Sequence, residues 1–149
     1  MRLPLAYLLA VGLLVTGVSA CSTKAEPAPS SPRPGQGIHT VDGRLTTGDA
    51  QSTSRGIDLD IQITSFPDGW RETLTLTYYK PNSAPTYTLV KLARAVAKTN
   101  EYLTYTDNLS GSITVLDSVT YSGTFAGTAP ATSARASSVI TAGAFTEAK

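Results

Sequence analysis

The sequence predicts an all-β fold: an antiparallel β-sandwich of about seven or eight short strands, following a signal peptide and a proline-rich tether. Three observations carry this. "IDLDIQIT", residues 57 to 64, alternates apolar Ile57, Leu59, Ile61 and Ile63 with polar Asp58, Asp60, Gln62 and Thr64. That period of two marks a strand with one face in a core and one in water. "FPDGW" and then "ETLTLTYY", residues 66 to 79, supply a turn and a returning strand, so residues 57 to 79 read as a β-hairpin. Pro67, Pro81, Pro85 and Pro130 all fall between apolar segments, where turns belong.

The remaining elements follow in order. "VDGRLTT", residues 41 to 47, reads as a weak early strand. "PNSAP" is a turn between the hairpin and "TYTLV", residues 86 to 90. "KLARAVAKT", residues 91 to 99, is ambiguous. Leu89, Leu92, Ala93 and Val96 lie at helical spacing, so a helical turn or an irregular connection competes with a strand. "EYLTY", residues 101 to 105, returns to β composition, and "TDNLSG", residues 106 to 111, reads as loop. "SITVL", residues 112 to 116, is a strand that reverses at Asp117-Ser118. Residues 119 to 129 continue with Val119, Tyr121 and Phe125 expected on one face. Gly123 and Gly127 share that face, which suggests a bulge or close packing. A small-residue loop from Pro130 leads to "SVITAGAF", residues 138 to 145, as a strand pair or one bent strand. Turns every 8 to 12 residues, roughly, argue for a sandwich or a barrel, with the sandwich favoured.

The first forty residues carry an address. Met1-Arg2 gives a positive start, and residues 3 to 18, "LPLAYLLAVGLLVTGV", are apolar but shorter than the roughly 20 residues of a spanning helix. This is the form of a secretory signal over residues 1 to 20. Val18-Ser19-Ala20-Cys21 resembles a bacterial lipobox. The resemblance implies that the Cys21 thiol receives a diacylglyceryl group, that cleavage falls between Ala20 and Cys21, and that the new amino group is acylated. One chain alone binds a membrane marginally, so two attachment points on one residue make physical sense. Residues 21 to 37 form the lipidated cysteine and its tether, which holds four prolines between Pro27 and Pro34. Such a spacer extends about 3.1 Å per residue, roughly 50 Å in all. Residues 38 to 149 are the expected β domain. Ser22 is not the aspartate that retains lipoproteins at the inner membrane in some bacteria, which favours the outer membrane.

Removing residues 1 to 20 takes away one arginine and no acid, leaving eleven basic and eleven acidic residues. No basic cluster is available for phosphates, so nucleic acid is not an expected partner. With Cys21 lipidated, no thiol is left for a disulfide, a zinc–thiolate site or a catalytic cysteine. About 110 residues suffice for one core without staples, and a monomer is expected.

"GSITVLD", residues 111 to 117, "YSGTFAGTA", residues 121 to 129, and "VITAGAF", residues 139 to 145, form a tail. It is similar to that of an uncharacterised family of small lipoproteins common in Bacteroidota. The resemblance covers residues 57 to 149, with "TYTL" at 86 to 89 and "EYLTY" at 101 to 105 also in familiar places. It implies a lipid anchor and an antiparallel β domain, and it implies no activity.

Candidate chemistry is sparse. His39, the single histidine, sits beside the tether and reads as a solvated linker residue without a catalytic partner. Asp58 and Asp60 share one strand face, where alternation itself demands solvent-facing polar residues. Asp107 and Asn108 lack the spacing of a calcium loop and read as turn residues. No catalytic residue, metal site or cofactor is expected, and the protein is not expected to be an enzyme. The aromatic residues hold more interest. Period two puts Tyr78 with Leu74 and Leu76 in the core and Tyr79 with Thr73, Thr75 and Thr77 in solvent. Exposed Tyr79 and Trp70 are the candidate ligand surface, for a protein partner or, stacking on sugar rings, for a glycan.

Overall fold

A computed structural model describes residues 31–149. The fold is antiparallel and all β, as the alternation predicts. Its strands are β1 (Gln36–Val41), β2 (Arg44–Arg55), β3 (Asp58–Ser65), β4 (Glu72–Tyr79), β5 (Thr88–Val96), β6 (Glu101–Tyr105), β7 (Asp107–Val115), β8 (Tyr121–Ala129) and β9 (Ser138–Ala148). All nine belong to one sheet, in the order β6-β5-β4-β3-β2-β1-β9-β8-β7. The two ends of that order are joined by the single residue Thr106. Its N–H donates to the Thr128 carbonyl at 3.0 Å, and β7 lies against β5 while β6 lies against β8. The two layers of the expected sandwich are thus two halves of one sheet, rolled so that β6 and β7 close it as segments of a bent strand.

Alternation decides what faces inward. Leu59, Ile61 and Ile63 of β3 and Leu74, Leu76 and Tyr78 of β4 have no solvent exposure, and Leu89, Leu92, Tyr105, Phe125, Ile140 and Phe145 fill the interior with them. Each such aliphatic or aromatic side chain contributes about 1.5–3 kcal/mol by burial. The Tyr78 hydroxyl is satisfied inside by the Thr124 carbonyl at 3.0 Å. Outward positions on the same strands carry Asp60, Gln62, Thr64, Thr73, Thr75 and Thr77. A polar outside around an apolar inside is the reverse of a membrane-spanning barrel.

Phenylalanine and glycine interlock across β8 and β9. Phe125 faces Gly143, and Gly123 faces Phe145. A Cβ on Gly143 would lie 2.4 Å from the Phe125 ring, and one on Gly123 would lie 2.7 Å from the Phe145 ring. The expectation of close packing at Gly123 therefore holds, and the ladder is also irregular there, with shifts between Tyr121 and Gly123 and between Phe125 and Gly127.

Several segments differ from the sequence reading, each for a local reason. Residues 41 to 47 are not one strand but the end of β1, a two-residue turn and the start of β2. Asp42 (φ 49°) and Gly43 (φ 83°) both adopt the left-handed conformation that a two-residue type I′ turn requires. Residues 91 to 96 are strand. Tyr78 pairs with Leu89 but Thr77 pairs with Lys91, so Val90 is an extra residue in a bulge. That insertion makes Leu89 and Leu92, both buried, three apart, which imitates helical spacing. Asp107 to Gly111 belong to β7 rather than to a loop, with a register shift between Asp107 and Ser110 and Asn108 at φ 50°. Val119 does not share the face of Tyr121 and Phe125 but lies exposed in the turn before β8. Ile57 lies in the Gly56-Ile57 turn, half exposed, outside the core. The final segment is one strand running on to Ala148. β1 begins at Gln36, so Gln36 and Gly37 pair within the sheet.

Candidate functional site

An up-and-down sheet closed in this way has two rims. At one lie the Gly56-Ile57 turn, the connection over residues 80 to 87, the turn over residues 116 to 120, and both ends of the domain. Gly35 N–H donates to the Thr146 carbonyl at 2.7 Å, and Ser52 N–H to the Lys149 carbonyl at 2.8 Å. This is the N-terminal rim. The distal rim carries the Asp42-Gly43 turn and the connections over residues 66 to 71, 97 to 100 and 130 to 137.

Inside the distal end sits a buried ionic cluster. Glu72 opens β4 on the same face as Leu74 and Leu76 and is almost fully buried. Arg94 Nη2 donates to Glu72 Oε2 at 2.6 Å, and His39 Nε2 lies 3.2 Å from Glu72 Oε1. A carboxylate only accepts, so Nε2 carries the proton of that bond. Burial alone would raise the Glu72 pKa. The His39 hydrogen bond and then the Arg94 hydrogen bond and charge outweigh it, so the carboxyl is held at about 2. The same contact with Glu72 raises the Arg94 pKa against the lowering effect of its burial. His39 is fully buried, with its ring near that of Phe125 at 6.2 Å between centroids. The solvated-linker reading of His39 is therefore corrected. β1 puts Gly37, His39 and Val41 on the inner face, and a glycine-flanked strand beside a proline tract does not announce itself.

Next to this cluster, Ser138 Oγ donates to Asp42 Oδ2 at 2.8 Å and lies 3.2 Å from the Tyr105 hydroxyl. Val139 N–H donates to Asp42 Oδ1 at 2.7 Å. Burial raises the Tyr105 pKa, with the Ser138 hydrogen bond opposing it. His39 Nδ1, Ser65 Oγ and Arg94 Nε are buried without a protein partner, all on residues that contact or directly pair with Glu72. A histidine oriented by a carboxylate is half of an acid–base arrangement. Here it is sealed by the core, and a substrate has no route to a ring with no exposed surface. What the cluster does is tie β1, β4 and β5 together at the distal end.

Of the expected ligand residues, Tyr79 lies on the outer face of β4, about one-third exposed, opposite fully buried Tyr78. Trp70 is about half exposed in the loop before β4. Nine residues of extended chain separate them, roughly 30 Å, so the two do not form one platform. Trp70 has a different companion that the sequence did not single out: Phe66, across the 3-10 turn Pro67–Gly69 and 63% exposed. Asp68 of that turn accepts from Arg44 Nη2 at 2.9 Å, linking the loop to the start of β2, where Leu45 is exposed. At the start of β4, an outward-facing depression of about 360 Å³ is lined by Arg71, Thr73, Asn100, Glu101 and the exposed ring of Tyr102 among others. Asp60 accepts from Thr77 Oγ1 at 2.7 Å on the outer face, as its alternation implies. Ala20 and Cys21 lie outside the described residues.

The structure thus defines a class: a closed antiparallel β domain with a buried ionic cluster and an aromatic distal rim. No protein family, curated protein or solved structure matches this chain.

Proposed function

We propose that this protein is a lipid-anchored lipoprotein of the bacterial cell envelope, acylated at Cys21, whose monomeric β domain is a non-enzymatic interaction or structural module. The outer membrane is the favoured location. The observation that carries the reading is the polarity of the domain. The chain arrives at the N-terminal rim, and Phe66, Trp70 and Leu45 stand exposed on the opposite one. An anchor on the N-terminal side leaves the aromatic rim free to meet a partner. Labelling with radioactive palmitate and membrane fractionation test the anchor. Wild-type protein takes up label and stays with membranes after a carbonate wash, whereas Cys21→Ala takes up none. A Cys21→Ala protein that still resists the wash overturns the anchor.

A second reading, a glycan-binding surface, is favoured by the depression at Arg71 and Tyr102. An exposed tyrosine ring with Arg71, Asn100 and Glu101 around it offers a stacking face and hydrogen-bonding groups together. Tyr102→Ala and Trp70→Ala should each abolish capture on a glycan array, while Tyr79→Ala should not. Capture lost only with Tyr79→Ala would move the surface to β4, and no capture by wild type would leave the interaction reading alone.

A further inference from the structure

The turn between β7 and β8 is apolar where turns are ordinarily polar. Val115, Leu116 and Val119 are 48%, 54% and 62% exposed, three apolar side chains within five residues. Exposed apolar runs of this kind are unfavourable unless something covers them. The turn is also rigidly built. Leu116 N–H donates to the Thr120 carbonyl at 2.9 Å, and Val119 N–H donates to Asp117 Oδ1 at 2.9 Å. Leu116 and Val119 are thereby presented outward from a fixed loop. Ile57 lies exposed on another turn of the same rim.

This is the N-terminal rim. Val115 pairs with Tyr121, Tyr121 with Ala148, and Gly35 bonds to Thr146 on that same strand. Cys21 and Gly35 are fourteen positions apart. At about 3.1 Å per residue, as expected of this proline-rich spacer, that length reaches roughly 40 Å. A lipid on Cys21 would keep the apolar turn within that reach of the membrane surface, so that it meets the surface repeatedly and weak apolar insertion suffices.

We propose that the β7–β8 turn, through Leu116 and Val119, docks into the interfacial layer of the membrane to which the chain is tethered, fixing the barrel with its distal rim outward. The proposal rests on the anchored reading above. Charge is not its basis. Arg55, Lys80 and Lys149 at this rim are accompanied by Asp58, Asp117 and Glu147, so the contact rests on apolar insertion.

The single tryptophan makes the test direct, because Trp70 lies on the far rim. Full-length lipidated protein is reconstituted into phosphatidylcholine vesicles carrying bromine on the upper acyl chain. Leu116→Trp in a Trp70→Phe background should float with the vesicles and lose roughly half of its fluorescence, since interfacial insertion reaches about 5–10 Å. Wild-type protein, reporting from Trp70, should float and keep its fluorescence. Val119→Trp in the same background repeats the measurement at a second exposed position, and circular dichroism confirms that each variant is folded. Flotation with no quenching at either turn position overturns the docking while leaving the anchor intact. Failure of the lipidated protein to float overturns the anchor and the docking with it.

Discussion

Glu72→Gln removes one charge from the centre of the distal cluster and leaves Arg94 and His39 facing a neutral amide. At neutral pH the magnitude follows from the carboxyl itself. Its pKa falls from about 4.5 to about 2 in the folded protein. At about 1.4 kcal/mol per pH unit, that is about 3 kcal/mol of stability. The figure agrees with the 3–5 kcal/mol, roughly, lost when one partner of a buried ion pair is removed. It is a large fraction of the roughly 5–15 kcal/mol that holds a small domain folded. Because the pKa is depressed, this contribution is complete above pH 4.5 and is lost as the pH falls through 2. The gap between wild type and Glu72→Gln should therefore be about 3 kcal/mol at pH 7 and close progressively between about pH 4.5 and 2, while other carboxylates affect both proteins alike. Urea unfolding followed by far-ultraviolet circular dichroism at pH 7, 4, 3 and 2 measures it. A gap that stays constant across that range, or one below about 1 kcal/mol at pH 7, would refute the cluster's role.

The two adjacent tyrosines should separate cleanly in thermal or urea melts. Tyr78→Ala should cost about 3–5 kcal/mol as the loss of a buried aromatic, and Tyr79→Ala less than about 0.5. Gly143→Ala should destabilise by about 1–3 kcal/mol, because the new methyl meets the Phe125 ring, and Gly143→Ala with Phe125→Leu should recover part of the loss. Asp42→Ala should cost about 1–2 kcal/mol, since it loses two hydrogen bonds to β9 and a residue suited to positive φ, and Asp42→Asn should recover some of it.

Much of the domain was legible because β3 and β4 obey a strict period of two, and their inward residues are those the alternation names. The same rule, carried one step further, reaches Glu72. It stands two residues before Leu74 on the apolar face, and a carboxylate at such a position must find partners inside. Arg94 was hidden by the bulge at Val90, which shifts the phase of β5 and turns a strand signature into a helical one. His39 was hidden because β1 is six residues long, polar in part and preceded by prolines, so its burial depends wholly on β2 and β9 pairing on either side. Phe66 and Tyr102 are legible only as aromatics. That Tyr102 lines one depression with Arg71 is set by sheet order, which no local pattern encodes.

The pairing of β1 with β9 has a kinetic side. Gln36 faces Thr146 and Val41 faces Ile140, so the first strand of the domain acquires its second neighbour only when the last strand is present. Until then β1 hangs from β2 alone, its other edge open, and His39 lacks the enclosure that buries it. Pairings so distant along the chain fold slowly, on the millisecond-to-second scale, because a long loop must close before any contact rewards it. An emerging chain therefore cannot complete this sheet from its N-terminal portion alone. That makes the last strand, Ser138–Ala148, the element that commits the whole sheet.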